Sequence, residues 1–298
     1  MPRLALDGIF VPCVTPFTRA GRLDMDALKA CVRFWLENGV SGLVPCGSNG
    51  EAPCLSREER KKVIAAVVDE ANGKVPVVAG TGSVSTQETV AFTQDAADLN
   101  VNAALVVTPF YFRLGDREIL AHYRTVSESV DIPIVVYNVP KFTGVSLEPA
   151  FIWKLAKESD RIVGLKDSSG NISNITETLR LAGDRLSVLA GTADATLPTL
   201  MSGGRGAVIA VGNVFPKLCV ALYKAFKSGR HEEAAKLQNR ISYANEVLVR
   251  RFNQISAIKE AMRLLGLSAG YPRKPTLPLE TAEKEPIQNL LTEINRPT

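Results

Sequence analysis

The sequence is poor in metal-ligating and redox side chains. It has two histidines, His122 and His231, and five cysteines (Cys13, Cys31, Cys46, Cys54, Cys219) with no C-x-x-C pair. An odd number of scattered thiols argues against a disulfide scaffold, and so few imidazoles argue against a zinc site, so neither a metal nor a cofactor is expected. No block of five or six like charges accompanies the net charge of +4, so no nucleic-acid arm is expected. Apolar runs such as residues 103–108 are far shorter than the ~20 residues that span a bilayer. The first run begins within ten residues of Met1, which leaves no room for a cleaved targeting peptide, and the reducing cytoplasm is the expected compartment.

What the chain does have is apolar material in a regular rhythm. Its 298 residues are 46% hydrophobic and 22% charged, the balance of a soluble protein with a large core, and this length suits either two average domains or one α/β barrel. β-Branched apolar runs occur at 8–17 ("GIFVPCVTPF"), 42–47, 75–82 and 103–112, and again at 132–140, 161–166, 186–192 and 206–213. They are continuous rather than alternating, as strands covered on both faces should be. Helical stretches lie between them. Asp24 is a suitable N-cap for a helix with Leu28, Cys31, Val32, Trp35 and Leu36 on one side, and Ser56–Glu59 and Ser85–Glu88 fit the S-x-x-E capping box. About eight β/α units at roughly 30-residue spacing predict an α/β fold, a (β/α)8 TIM barrel over residues 1–228. Residues 229–298 read as helices only, a C-terminal helical extension packed on the barrel.

Chemistry in such barrels sits at the carboxyl ends of the strands. Those ends carry Thr15, "GSNGE" (47–51), Thr108 with Tyr111, Tyr137-Asn138, Lys166-Asp167-Ser168, Gly191-Thr192 and Asn213. A lone lysine at a strand end is ordinarily a solvated cap. An inward-facing one is desolvated, which disfavours the ammonium, and a neutral amine attacks carbonyls. Tyr137 ends the preceding strand, so its phenol is expected to face Lys166 and exchange protons with a substrate. The "GSNGE" turn offers successive N–H groups for a carboxylate. Glu51 is assigned only the support of that turn.

Taken together, "VTPF" (14–17), "GSNGE", "VVTPFY" (106–111), "YNVP...TG" (137–144), "GLKDSSG" (164–170) and "LAGT" (189–192) resemble the dihydrodipicolinate synthase/N-acetylneuraminate lyase family of pyruvate-dependent class I aldolases. The resemblance spans nearly the whole chain. It implies a homotetramer built as a dimer of dimers, a Schiff base between Lys166 and a 2-oxo acid, and proton shuttling by Tyr137. It also implies a relay hydroxyl on Ser48, a tyrosine lent across the dimer by Tyr111, and a substrate carboxylate on the amides of Ser48 and Asn49. Ser168, Gly191 and Val208 fall near the pyruvate pocket. Synthases of the family typically read "GTTGE" and carry an arginine after "YNVP", where this chain has Asn49 and Phe142. Those departures count against a synthase, and "GSNGE", "GLKDS" and the late "KLQNR...VRRF" (236–252) look more like 4-hydroxy-2-oxoglutarate aldolase, releasing or using pyruvate and an aldehyde such as glyoxylate. The alternatives are dihydrodipicolinate synthase acting on pyruvate and aspartate semialdehyde, a 2-keto-3-deoxygluconate-type aldolase, and a 2-oxo-acid-binding barrel without turnover.

Overall fold

A computed structural model describes residue 4 and residues 6–294; the outermost residues of the two expected segments, 1–3 with 5 and 295–298, lie outside the described ones. Eight parallel strands form one sheet: β1 (Gly8–Val11), β2 (Gly42–Leu43), β3 (Val78–Gly80), β4 (Ala103–Val107), β5 (Ile134–Asn138), β6 (Ile162–Asp167), β7 (Ser187–Ala190) and β8 (Gly206–Val208). Their spatial order is β2-β1-β8-β7-β6-β5-β4-β3. The remaining seam, between β2 and β3, is closed by a parallel bridge between Leu43 and Val77, with Leu43 N donating to Pro76 O at 3.0 Å. The sheet is therefore a nearly closed barrel with helices around it, the TIM barrel that the eight runs predict.

Every strand but β6 is shorter than the apolar run that announced it. The run at 8–17 holds only four residues of strand, because its remaining residues are buried in the loop that follows. Apolar character reports burial, and burial continues past the last ladder hydrogen bond.

The helix starts follow the sequence signals, with one difference. Asp24 Oδ1 accepts from Ala27 N at 3.1 Å, and Ser56 and Glu59 form a complete capping box. Ser85 caps Glu88 N, but the Glu88 carboxylate turns instead to the Ser83 hydroxyl at 2.9 Å, so that box closes on one side only.

The apolar side chains divide into an inner and an outer core. Leu6, Phe10, Val44, Val78, Leu105, Val135, Tyr137, Leu189 and Val208 fill the barrel. The alternate residues, such as Val106, Val136, Leu165 and Val188, pack outward against helices. This is the strand period of two at work, and it decides which polar side chains at the strand ends face the axis.

Beyond β8 the chain is helical, with helices Pro216–Lys227, His231–Asn245, Gln254–Leu264 and Thr281–Ile294 and a π-type turn at Glu246–Arg250. The last helix falls within the 229–298 stretch expected to be helical. It contains Pro286, and its buried stripe is only Ile287, Leu290, Leu291 and Ile294. Among the described residues, no helix is long and apolar enough to cross a membrane, and all five cysteines are free thiols.

Candidate active site at the mouth of the barrel

Tyr137 and Lys166 are direct partners in the β5–β6 ladder, so both point the same way, and the inner core shows that this way is inward. Lys166 is 3% exposed and Tyr137 5%, and the Lys166 Nζ lies 4.0 Å from the phenol ring centroid. Their successors point outward and bond to each other, Asn138 Nδ2 donating to Asp167 Oδ2 at 2.8 Å. Asp167 Oδ1 is taken by the amide and hydroxyl of Ser169. The buried carboxylate beside the lysine is thus spent on holding the strand ends.

Burial alone would raise the Tyr137 phenol. The positive charge of Lys166 and the hydrogen-bonding groups of Ser48, Ser168 and Lys166 around it outweigh that, and the phenol sits below its ordinary value of 10.0. Ser48 therefore joins the pair from the turn at 47–51. Ser168 is held close by Gly191: a Cβ at Gly191 would lie 2.0 Å from Ser168 Oγ and 2.8 Å from Asp167 O. Only glycine leaves room for that hydroxyl, which is buried with no partner at hydrogen-bond distance.

A cavity of about 300 Å³ opens beside Tyr137 and Ser48, and Lys166, Ser168 and Gly191 are not among its lining residues. Gly47, Ser48, Tyr137 and Thr143 give it polar groups, and Leu105, Val107, Phe110, Val139, Phe142 and Ile255 give it apolar walls. Few convergent polar groups within apolar walls are the usual composition of a small-molecule site. Phe142, at the position discussed above for an arginine, is 49% exposed at the cavity's rim.

Not every sequence candidate enters the cavity. Val208 packs within the barrel, lining a void of about 10 Å³ with Phe10, Val44 and Leu189, and Leu105 borders both spaces. Asn49 is buried, and its Oδ1 accepts from Gln254 Nε2 at 2.5 Å. Tyr111 is 77% exposed and stacks edge-to-face on Phe112, outside the cavity of its own chain.

Sequence reading missed a second buried lysine. Lys259 is 1% exposed; it donates to the Glu51 carboxylate and, at 2.7 and 2.8 Å, to the carbonyls of Thr15 and Tyr271. Burial pulls its ammonium below the ordinary value, with Glu51 pulling the other way. The other Glu51 oxygen accepts from Arg273 N at 2.7 Å. Glu51 and Cys46, at either end of the turn, both have left-handed backbones, with φ of 54° and 55°. Such residues persist where surrounding contacts over-determine them.

The profile of the dihydrodipicolinate synthetase family matches residues 5–294. A 4-hydroxy-tetrahydrodipicolinate synthase of Methanothrix thermoacetophila is 41% identical over 289 residues, 97% of each chain. Its counterpart in Citrifermentans bemidjiense is 36% identical over 286 residues, 96% of this chain and 98% of that one. Among solved structures, a prophage protein of E. coli from the dihydrodipicolinic acid synthase family, in complex with pyruvate, superposes with a TM-score of 0.94 at 30% identity, over 98% of this chain and 99% of that one. This chain belongs to the dihydrodipicolinate synthetase family and is a pyruvate-dependent lyase of the class I aldolase type, working through a lysine Schiff base.

Proposed function

We propose that Lys166 is the Schiff-base lysine and that the chain joins pyruvate to an aldehyde as a 4-hydroxy-tetrahydrodipicolinate synthase does. The observation that carries the chemistry is the Lys166–Tyr137 pair: a buried amine 4.0 Å from the ring of a phenol held below its ordinary value by that neighbour's charge. The names of full-length relatives at 36–41% identity carry the choice of aldehyde, aspartate semialdehyde.

The steps follow from the amine. Lys166 attacks C2 of pyruvate, the carbonyl oxygen leaves as water after protonation, and an iminium forms. Its positive nitrogen draws electrons from C3, so loss of a C3 proton gives an enamine rather than a bare carbanion. The enamine adds to the aldehyde carbon, forming the C–C bond, and the aldehyde oxygen takes a proton. Water then releases the product. Tyr137 gives and takes these protons, with Ser48 relaying them toward Tyr111 of a partner subunit in a dimer-of-dimers tetramer. The amides of Ser48 and Asn49 receive the pyruvate carboxylate, with Ser168 and Gly191 shaping the floor. Val208 acts only from beneath, through barrel packing. The 1–228 barrel and 229–298 helical region then work as one catalytic unit.

A second reading rests on Phe142. An apolar ring at the rim makes no bidentate contact with a carboxylate. It weighs against aspartate semialdehyde and leaves another 4-hydroxy-2-oxo acid as substrate, with 4-hydroxy-2-oxoglutarate, cleaved to pyruvate and glyoxylate, the candidate that the sequence motifs support.

Two measurements test these readings. Borohydride with pyruvate should leave one reduced adduct per chain by intact mass, absent in Lys166→Ala; no adduct on the wild type overturns the Schiff base at this lysine. An aldehyde panel with pyruvate then compares kcat/KM. Higher turnover with glyoxylate than with aspartate semialdehyde replaces the first reading by the second.

A further inference from the structure

Helix Gln254–Leu264 lies outside the eight strand-and-helix units, yet it grips the turn at 47–51 in two places. At its first residue, Gln254 Nε2 donates to Asn49 Oδ1 at 2.5 Å, while Gln254 Oε1 accepts from Lys141 Nζ at 3.0 Å. Five residues on, about 7.5 Å along the axis, Lys259 pairs with Glu51. Between them Ile255 lines the cavity. The turn also carries Thr15 Oγ1 on Gly50 O at 2.8 Å, and Thr15 is itself tied to Lys259 through its carbonyl.

We propose that Gln254 and Lys259 are positioning residues, which hold the turn so that the Ser48 hydroxyl and the amides at 48 and 49 meet pyruvate; the inference rests on the reading of the site given above. Two features of the molecule support it. One grip lands on Asn49, which carries one of the amides in question, and the other on Glu51, two residues further along the turn. The backbone at Glu51 is left-handed without being glycine, so the turn keeps its shape only while something fixes that residue. Lys259 and Arg273 N are what fix it. The C-terminal helices are thus part of the active site's frame.

A purely structural role for the buried pair makes a different prediction. Lys259→Met alone leaves the Glu51 carboxylate buried without its cation and should lower Tm sharply. The double variant Lys259→Met with Glu51→Gln removes both charges at nearly constant volume and should recover much of that Tm. If the pair positions the turn, pyruvate KM in the double variant stays raised by roughly tenfold, because the tether to the helix is still missing. Gln254 is only half-buried, so Gln254→Ala should keep the wild-type Tm and raise pyruvate KM by about fivefold with a smaller change in kcat. Amide hydrogen exchange of residues 47–51 should quicken in both variants. Recovery of KM together with Tm in the double variant, or unchanged KM and unchanged exchange in Gln254→Ala, would overturn the proposal. Should the wild type form no borohydride adduct, the catalytic reading fails on its own, and exchange in the turn still decides whether the helix holds it.

Discussion

Tyr137 and Lys166 face each other across one ladder position, with the amine 4.0 Å from the ring centroid. The phenol below its ordinary value depends on that neighbour's charge. Spectroscopic titration of the phenolates should therefore show, besides Tyr271, which its hydrogen bond with Arg19 lowers, one further tyrosine, Tyr137, ionising below the ordinary value of 10.0. That transition should vanish in Tyr137→Phe and move upward in Lys166→Met, where burial is left without the opposing charge. A transition unmoved by Lys166→Met would mean that the two groups are not coupled.

Removing the phenol alone should separate binding from chemistry. Tyr137→Phe keeps the ring that packs in the barrel and deletes the proton carrier, so kcat should fall by ~10²–10⁴-fold with a small change in pyruvate KM. Steady-state kinetics check it; a wild-type kcat would remove Tyr137 from the proton path.

Gly191 should tolerate no side chain. The added methyl of Gly191→Ala meets Ser168 Oγ and also the fixed carbonyl of Asp167 at 2.8 Å. Overpacking of this kind costs about 1–3 kcal/mol. Trimming the hydroxyl in Ser168→Ala/Gly191→Ala relieves one clash and not the other, so denaturant midpoints should rank wild type above the double variant and the double variant above Gly191→Ala.

The pair at the strand ends was legible in the sequence for a physical reason. A continuous apolar run ending in Lys166, beside another ending in Tyr137, leaves few ways to arrange the two side chains once both runs are strands of one barrel, since strand geometry alternates the faces. The turn at 47–51 was legible as polar and glycine-rich, but its supports were not. Glu51 finds Lys259 at a separation of 208 residues, and Asn49 finds Gln254 at 205. Nothing local marks such contacts: in the sequence Lys259 is one more charge in an amphipathic helix. Val208 shows the opposite limit. Its strand was placed correctly, but a position near a pocket and a position lining it differ by one layer of the barrel, which an apolar run does not resolve.

Acid should weaken the tie between the C-terminal segment and the second helix of the barrel. Arg273 donates to both oxygens of Glu59 at 2.7 Å, and the guanidinium holds that carboxyl well below its usual 4.5, at about 2. A carboxyl with a depressed folded value adds stability above its unfolded value and loses it as pH falls through the folded one. The contribution is therefore full above about 4.5 and fades toward about 2. Glu59 is 28% exposed, so solvent screening holds it to no more than about 3 kcal/mol. Denaturant unfolding at pH steps should show the wild type's advantage over Glu59→Gln shrinking across that window. A constant difference from neutral pH down to about 2 would dissociate this pair from acid stability.

Phe142 is where the choice of aldehyde should be adjustable. It stands at the cavity's rim, half-exposed, with Lys141 Nζ 4.9 Å from its ring and itself occupied by Gln254. Burial pulls the Lys141 ammonium below its ordinary value. A guanidinium introduced by Phe142→Arg would point a bidentate donor at the space above Tyr137, and a charge-assisted contact of that kind is worth ~1.5–3 kcal/mol. For an aldehyde whose far end carries a carboxylate within reach, kcat/KM should rise roughly 10–100-fold, while an uncharged aldehyde of the same length gains nothing. If both aldehydes respond alike, the rim acts by shape, and the aldehyde's charge is read elsewhere in the cavity.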